Sequence, residues 1–428
     1  MVNPISVALR GKGAFKLAQR AGSILKSYGV TPARLDQALG QFADILEQFA
    51  CNATFPITTV ALARNPQVIQ KYQARGIEFA IHGYRHVDHC QIAPAQQMAE
   101  MALAKRLFEK AGIQARGFRG PYLHANAETL NALRRLGLAY DSSPGLYWDI
   151  VDGHETPAYN HVLGFYSALP VASYPSLPHL HDDLVSIPYS LPDDEALVHR
   201  LALDSTERMS ALWVSLLHRS HQLGELFTLG LHPERTLACQ VPLTTVLARA
   251  RQLEPPVWIA RLDQISDWWR ARRQAETEIT ALAEDRYRVT VKGPAGTAVL
   301  VRNLETEAVS TPWANGYRLV QATTCIVRSP VRPCIGLSPA ASPDLAEFVR
   351  QQGYIAENGQ AGQAYALYLE QSEFTAQDRR PLLAQMANSK SPLVRLGRWP
   401  NGAQSALSIT GDIDALTLWD YALRFLGR

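Results

Sequence analysis

The strongest constraint on the fold is an alternation of short apolar runs with long amphipathic segments between about Gln37 and Gln274. Such alternation is typical of βα units, in which helices connect the strands of a largely parallel sheet. The runs Phe55–Val60 and Ile77–Ile81 predict strands, and apolar residues spaced by four between Pro94 and Gly112 predict a helix. The pattern predicts an α/β fold, and periodicity alone leaves a barrel and a doubly wound sheet equally open.

Similar units follow along the chain. Leu130 and Leu133 lie on a predicted helix that ends near Gly137, residues 195–222 predict one long helix, and residues 226–231 predict a strand. The last unit stands alone at the C-terminus, where a predicted strand over 406–410 leads through Gly-Asp-Ile-Asp into a helix containing Leu418, Ala422 and Phe425.

The pattern changes after about Asp285, where apolar and polar residues alternate as in an antiparallel strand. We therefore expect a small antiparallel β domain over 285–338 and a helical connector over 339–395. Residues 1–280 and 396–428 then form the main α/β domain.

Composition excludes several classes of protein. The 428 residues are 47% hydrophobic and 19% charged, as in an ordinary globular protein, and the net charge is only +3 without a basic stripe. We therefore expect neither nucleic acid nor an anionic membrane as a partner.

The five cysteines are scattered and predict neither a disulfide framework nor a thiolate zinc site. The first ten residues contain too short an apolar run for a secretory leader, and 18 uninterrupted apolar residues occur nowhere, so we expect a cytoplasmic protein. Composition leaves the oligomeric state open.

Two histidines directly follow the predicted strand 77–81. His82 and His86 lie in the sequence His-Gly-Tyr-Arg-His, at the carboxyl end of that strand, where active sites of parallel α/β folds gather. A spacing of four allows two imidazoles to face one metal ion. Two surface or capping histidines are an equally acceptable interpretation of this motif alone.

A hydrolytic metal site needs a third protein ligand. Asp88 is too close to the histidine pair in sequence, whereas Asp412 and Asp414 leave the C-terminal strand and, two residues apart, point the same way. In such a pair, one carboxylate can bind the metal while the other accepts a proton. A turn followed by an aspartate helix cap is the alternative interpretation.

Two further residues follow apolar segments. His232 ends the run 226–231 and has the side chain best suited to donate a proton near neutral pH. Arg119, in Arg-Gly-Pro-Tyr, follows Gly117-Phe118 and could hold a carboxylate through two hydrogen bonds. Each of them alone is more often structural.

Together these motifs resemble those of the polysaccharide deacetylases of the NodB-homology type, carbohydrate esterase family four. The segment Asn-Ala-Thr-Phe-Pro-Ile-Thr at 52–58 and the histidine motif at 82–86 resemble the second strand and metal-binding pair of that family. Residues 117–122, 138–143 and 229–233 resemble, in order, its arginine motif, the motif that follows it and its catalytic histidine motif.

The first motif of the family, a strand ending in paired aspartates, is found only at 408–414. The resemblance therefore implies a distorted (β/α) barrel of NodB-homology type that is circularly permuted. Its first strand would come from the C-terminus, and the small β-sheet domain would be an insertion. Asp-Ile-Asp also replaces the adjacent aspartates usual in the family, which leaves the roles of Asp412 and Asp414 exchangeable.

The resemblance also implies the chemistry. His82, His86 and Asp414 would hold Zn²⁺ or another divalent transition metal, and Asp412 would act as the base. The backbone N–H of Tyr122 would help to stabilise the oxyanion.

The remaining motifs would support these groups. His232 would protonate the departing amine, and Arg119 would orient Asp412. By the same analogy, Asp141 could pair with His232.

The implied activity is removal of an acetyl group from an N-acetylated carbohydrate or a small related amide. Tyr84, Tyr122, Tyr147 and Trp148 could stack on a sugar ring, although aromatic residues more often pack in a core. Hydrolysis of a non-carbohydrate C–N bond on the same fold, and carbohydrate binding without catalysis, are the alternatives.

Overall fold

The computed structural model describes residues 28–149, 155–203, 205–283, 285–360 and 362–425. The first ten residues, considered above for a leader, lie outside this part of the chain.

The main domain is built on one curled sheet of twelve strands, most of them parallel. Numbered in chain order, its strands are β1 (Ala53–Ile57), β2 (Glu78–Ile81), β3 (Gly117–Phe118), β4 (Tyr140–Asp141), β5 (Gly145–Tyr147), β6 (Leu169–Pro170), β7 (His179–His181), β8 (Leu184–Ser186), β9 (Tyr189–Leu191), β10 (Leu226–Leu231), β11 (Val257–Ile259) and β23 (Ser405–Gly411). Their order is β6-β5-β9-β10-β23-β1-β2-β3-β4-β8-β7, with β11 pairing with β23. The α/β expectation is confirmed, and the sheet is the open half-barrel of a distorted barrel.

Helices cover this sheet. They are α1 (Ala33–Gln48), α2 (Thr59–Arg64), α3 (Pro66–Gln73), α4 (Pro94–Lys110), α5 (Ala127–Arg135), α6 (Pro157–Phe165), α7 (Thr206–Leu223), α8 (Thr236–Ala250), α9 (Leu262–Arg273) and α12 (Leu418–Phe425). The first strand ends earlier than expected, because Thr59 already begins α2. The long helix expected over 195–222 is interrupted: a π-helical turn spans Ala196–Arg200, and α7 starts afresh where the Ser205 hydroxyl accepts a hydrogen bond from the Arg208 N–H.

The C-terminal strand lies in the middle of the sheet. β23 is parallel to both neighbours, with Leu231 of β10 opposite Gly411 and Thr54 of β1 opposite Thr410. All seven residues of β23 are buried, as expected for a parallel strand covered on both faces. The last strand of the chain therefore joins strands from the first 260 residues.

The chain between α9 and β23 forms three small sheets. Their strands are β12 (Glu276–Ala283), β13 (Arg286–Lys292), β14 (Val299–Arg302), β15 (Glu305–Thr306), β16 (Ser310–Pro312), β17 (Tyr317–Val320), β18 (Thr324–Arg328), β19 (Arg332–Leu337), β20 (Ala356–Asn358), β21 (Tyr365–Leu369) and β22 (Leu393–Leu396). Two sheets are antiparallel, with orders β12-β13-β18-β15 and β16-β17-β14-β22, and the third, β20-β19-β21, is parallel.

The expectation of a purely helical connector over 339–395 is therefore wrong. This segment contains α10 (Pro343–Gln351) and α11 (Arg379–Asn388), but it also supplies β20, β21 and β22. β22 pairs with β14, and β20 and β21 pair with β19, so main-chain hydrogen bonds tie the segment to the β domain. These three strands are short, and their sequence periodicity is correspondingly weak.

Two chain-wide features complete the fold. All five cysteines are free thiols, of which only Cys90 is exposed. Within the described residues, no helix combines the length and apolar character needed to cross a lipid bilayer.

Candidate active site

The candidate site lies at the carboxyl edge of the central strands. There the residue that follows each strand donates its N–H to a neighbouring strand: His82 to the Ile57 carbonyl at 2.9 Å and Asp412 to the Leu231 carbonyl at 3.1 Å. Arg119 donates similarly to Ile81 at 3.0 Å. Main-chain hydrogen bonds between strands thus fix the backbone positions of three of the sequence-predicted residues.

The loop that carries the two histidines is held by the first turn of α2. The N–H groups of Thr59 and Val60 donate to the carbonyls of Gly83 and Tyr84 at 3.0 and 3.1 Å. Gly83 has φ +77°, and a Cβ atom there would lie 2.7 Å from the Arg85 carbonyl oxygen. Glycine is therefore required by both conformation and space.

Hydrogen bonds with the end of β1 and the residue after it fix the position of Asp414. The N–H of Ile413 donates to the Pro56 carbonyl at 2.8 Å, and the hydroxyl of Thr58 donates to the Asp414 carbonyl at 2.9 Å. The turn after β23 thus brings Asp412 next to β10 and Asp414 next to the end of β1.

His82, His86 and Asp414 form a cluster of potential metal ligands, with one ligand atom from each lying within 4.8 Å of the others. Asp414 Oδ1 is 3.6 Å from His82 Nε2 and 3.4 Å from His86 Nε2. Ligand atoms about 2.0–2.1 Å from a tetrahedral zinc ion are separated by roughly 3.3 Å. The three residues therefore fit a single divalent ion.

The hydrogen bonding of His82 supports this fit. Its Nδ1 lies 2.8 Å from the Arg119 carbonyl oxygen, which can only accept, so Nδ1 carries the proton. The other ring nitrogen, Nε2, then faces Asp414 Oδ1 at 3.6 Å. A backbone carbonyl that orients the far nitrogen is a common feature of metal-binding histidines.

Asp412 has a different environment from Asp414. Its Oδ1 accepts a hydrogen bond from Arg119 Nη1 at 2.7 Å, and its Oδ2 is 4.0 Å from His82 Nε2. The Arg119 side chain is completely buried, lies over the Tyr189 ring, and also donates to Thr410 Oγ1 at 3.1 Å. A rigid cation therefore fixes Asp412 beside the cluster.

His232 directly follows β10, and its partner is Asp194. The carboxylate of Asp194 accepts the His232 backbone N–H at 2.8 Å and the ring Nδ1–H at 2.6 Å. Burial alone would lower the pKa of His232, but the Asp194 carboxylate raises it to about 10. His232 is therefore protonated at neutral pH, and its side chain is 19% exposed.

The pairing of Asp141 with His232 suggested by analogy is wrong. Asp141 is buried and accepts hydrogen bonds from the N–H and the hydroxyl of Ser143, the latter at 2.5 Å. The Ser143 hydroxyl in turn accepts the N–H of Gly120 at 2.8 Å. Asp141 thus supports the loop after Arg119, and burial raises its own pKa to about 6.

Asp194 is the residue that sequence reasoning missed. It follows β9, which pairs in parallel with β10, so it lies at the same strand edge as His232. The pair Asp193-Asp194 after an apolar Tyr-Ser-Leu is the signal in the sequence that could have found it. The helical pattern over 195–222 obscures that signal, because the strand before it has only three residues.

Tyr122 lies beside the cluster. Its backbone has φ 61°, in the left-handed region, and its ring makes an edge contact with the His86 ring at a centroid distance of 4.5 Å. Tyr84 and Tyr147 are also partly exposed, as contact with a sugar would require, whereas Trp148 is completely buried and belongs to the core. Trp148 is therefore wrong as a sugar-stacking candidate.

Asp88, which the sequence excluded as a metal ligand, has another partner. Its Oδ2 lies 3.0 Å from His124 Nδ1, and its Oδ1 accepts the N–H of Cys90 at 3.0 Å. Burial would raise the pKa of Asp88, but hydrogen bonding to His124 keeps it below its ordinary value. Asp88 thus forms an ion pair close to the histidine loop.

The first part of the chain is similar in sequence to known proteins. Residues 28–140 match the family model described as polysaccharide deacetylase. The chain is 32% identical over 113 residues to the "Peptidoglycan deacetylase-like protein FGM2" of Gibberella zeae, covering 26% of this chain and 28% of that protein. It is 30% identical over 109 residues to a chitooligosaccharide deacetylase of Bradyrhizobium sp., covering 25% of this chain and 48% of that protein.

A solved structure of the PuuE allantoinase is also similar, with 20% identity and a TM-score of 0.43, covering 55% of this chain and 72% of that one. The aligned segments span about a quarter and a half of the two curated relatives. The sequence matches show that residues 28–140 are similar to polysaccharide deacetylases.

Proposed function

We propose that this protein is a metal-dependent hydrolase that removes the acetyl group from an N-acetylated sugar. The observation that carries the proposal is the convergence of His82, His86 and Asp414 on one point, with Asp412 held beside them by Arg119. A divalent ion bound there, with Zn²⁺ as the first candidate, would polarise the acetamide carbonyl and lower the pKa of water.

Asp412 is assigned the role of general base. Its Oδ1 is occupied by Arg119, which leaves Oδ2, on the side of His82, to take a proton from the attacking water. Asp414 is assigned to the metal, because it lies within 3.6 Å of both imidazole Nε2 atoms, whereas Asp412 lies 4.0 Å from that of His82.

His232 is assigned the role of general acid. Its Nδ1–H is engaged by Asp194, so the proton on Nε2 is the one that it can donate to the departing amine. Its pKa of about 10 keeps that proton in place at neutral pH. The backbone N–H of Tyr122, a residue whose ring contacts that of His86, is assigned to the oxyanion.

We also propose that the chain is a circularly permuted member of its family. The position of β23 between β10 and β1, and the two aspartates at its carboxyl end, support this interpretation. We further propose that residues 1–280 and 396–428 form the catalytic domain. In this division, residues from about 281 to 395 form one inserted unit, since β22 pairs with β14.

Acetate release from N-acetylglucosamine oligomers tests the proposal. We expect release by protein loaded with Zn²⁺ or Co²⁺, loss after chelation, and recovery when the metal is restored. Asp412→Asn is the matched negative control, because it removes a proton acceptor while changing no atom of the three proposed ligands. If the loaded protein releases no acetate from these oligomers or from simple N-acetyl amines, the proposal is wrong.

A further inference from the structure

A cavity of about 390 Å³ lies between the main domain and the inserted sheets. Glu225, just before β10, and Gln404, just before β23, line its floor. The cavity therefore opens at the amino ends of these strands, whereas the candidate active site lies at their carboxyl ends. Its volume is in the range of small-molecule sites, about 300–1,000 Å³.

Three buried arginines line this cavity. Arg302, Arg395 and Arg398 are only 4%, 7% and 7% exposed. None of them forms an ion pair with a carboxylate anywhere in the described residues, although buried charges are usually paired.

Neutral groups satisfy these arginines only in part. Arg302 donates to the carbonyls of Met386 and Ala387, both at 3.0 Å, and Arg398 donates to Gly224 at 2.7 Å. The buried Nε atoms of Arg302 and Arg398 have no hydrogen-bond partner among the described residues. Carbonyl dipoles do not neutralise a guanidinium charge, so the cavity retains an excess of positive charge.

The carboxylate in the cavity is already engaged. Glu225 forms a two-point ion pair with Arg380, and its Oε2 also accepts the N–H of Ser176 at 2.8 Å. Glu225 therefore pairs with Arg380 and forms no ion pair with the other three arginines, although its charge favours the charged form of the nearby Arg398.

The electrostatics of neighbouring groups agree with this excess. Burial, followed by the nearby Arg395, lowers the pKa of Arg398 to about 10. Arg272 donates to the Arg398 carbonyl at 2.9 Å, and burial, followed by Arg398 and Arg395, lowers its pKa to about 9. Neighbouring guanidinium groups thus disfavour the charged forms of Arg398 and Arg272, and an anion in the cavity would relieve this repulsion.

Aromatic side chains complete the cavity. The Tyr317 ring lies between two of the arginines, with its centroid 4.8 Å from the Arg302 guanidinium carbon and 5.5 Å from that of Arg395. Trp313, whose indole N–H donates to the Gly402 carbonyl at 2.8 Å, forms part of the wall. The cavity therefore offers a rigid cationic centre with an adjacent flat, apolar wall.

We propose that this cavity binds the phosphate group of a small phosphate ester. Three guanidinium groups suit the charge and the several acceptor oxygens of a phosphate better than the single charge of a carboxylate. The aromatic wall would contact the organic part of the ester. This site is separate from the proposed deacetylase site and does not depend on it.

Binding of inorganic phosphate and of phenyl phosphate to the full-length protein tests the proposal. Titration calorimetry should show binding of each probe at about one per chain. Phosphate at 100 times its Kd should raise the Tm by at least about 2 °C relative to chloride at equal ionic strength. Acetate and benzoate are the carboxylate controls and should bind at least about ten times more weakly.

Substitutions of the cavity arginines test whether phosphate binds in this cavity. Arg395→Met and Arg398→Met should each abolish the phosphate-dependent rise in Tm without lowering the Tm measured in chloride. Arg288→Met, which removes an exposed arginine on β13, should retain the full rise. His86→Ala should also retain it, which separates this cavity from phosphate bound by a metal in the candidate active site.

Three results would overturn the proposal, and the first does not depend on whether any variant folds. One is an absence of heat and of Tm change when wild-type protein meets either phosphate probe. The other is undiminished phosphate binding by folded Arg395→Met and Arg398→Met proteins. Equal binding of benzoate and phenyl phosphate would contradict the assignment of the ligand as a phosphate.

Discussion

Asp194 accepts two hydrogen bonds from His232, one from its backbone N–H and one from its ring Nδ1, at 2.8 and 2.6 Å. The first bond fixes the backbone of His232 at the end of β10, and the second fixes which ring nitrogen of His232 faces the site. The same carboxylate lies 3.3 Å from Arg235 Nη1. Burial raises the pKa of Asp194, but His232 and Arg235 bring it below its ordinary value, so the pair stays ionised at neutral pH.

Replacing Asp194 by Asn should therefore change the pH dependence of activity. In the wild-type protein His232 loses its proton as the pH rises through its pKa of about 10. Without the carboxylate, burial lowers that pKa. The pH at which kcat/KM falls on the alkaline side of the profile should therefore decrease by at least about 1 unit. Asp182→Asn, which breaks an exposed ion pair with Arg134, is the control and should leave the limb in place.

The same pair should make stability depend on pH. The pKa of His232 is raised above its unfolded value of about 6.5. Its contribution is therefore fully present below about pH 6.5 and is lost as the pH rises toward about 10. In urea unfolding, the destabilisation caused by Asp194→Asn should be larger at pH 6 than at pH 10. Equal destabilisation at both values would contradict the ion pair.

Much of this architecture could be predicted from the sequence, because its signals are local. Residues 226–231 form a strand with the predicted bounds, and the C-terminal strand is only one residue longer at each end than predicted. Because parallel strands share a carboxyl edge, the residues that follow them are expected to meet there, and His82 and Asp414 do so.

What the sequence did not predict depends on short or non-local features. Asp194 follows a strand of three residues, too short for a periodic signal, and only pairing with β10 places it beside His232. The strands at 356–358 and 393–396 have only three and four residues, and they are defined by pairing with β19 and β14. Nothing near Asp141 in sequence distinguishes a partner of His232 from a support for the loop at Gly120.

The two aspartates of the C-terminal turn should respond differently to substitution. Asp412→Asn should keep the metal and lower kcat by roughly 10²–10⁴-fold, because Asp412 is proposed as the proton acceptor. Asp414→Asn should lose metal and activity together. Metal content and acetate release, measured on the same preparations, check both. If Asp412→Asn loses the metal while Asp414→Asn keeps it, the two roles are reversed.

Gly83 should be essential for the shape of the histidine loop. Gly83 has φ +77°, and Gly83→Ala would introduce a Cβ atom 2.7 Å from the Arg85 carbonyl oxygen. Gly137 has a similar φ of +69°, but the Cβ atom of Gly137→Ala would have no atom within 4 Å. Backbone strain should destabilise both variants by about 1 kcal/mol, and only Gly83→Ala should also displace the loop and weaken metal binding. Metal titration and urea unfolding of the two proteins measure the difference. Equal metal affinity in both variants would contradict the argument.

The central claim is that the last strand of the chain completes a metal site begun by His82 and His86. Metal content per chain, measured by mass spectrometry on protein purified without a metal-affinity tag and equilibrated with Zn²⁺, tests it most directly. We predict about one ion for the wild-type protein and for Asp182→Ala, and much less than one for His86→Ala and for Asp414→Ala. An Asp414→Ala protein that binds one ion as tightly as the wild type would contradict the claim.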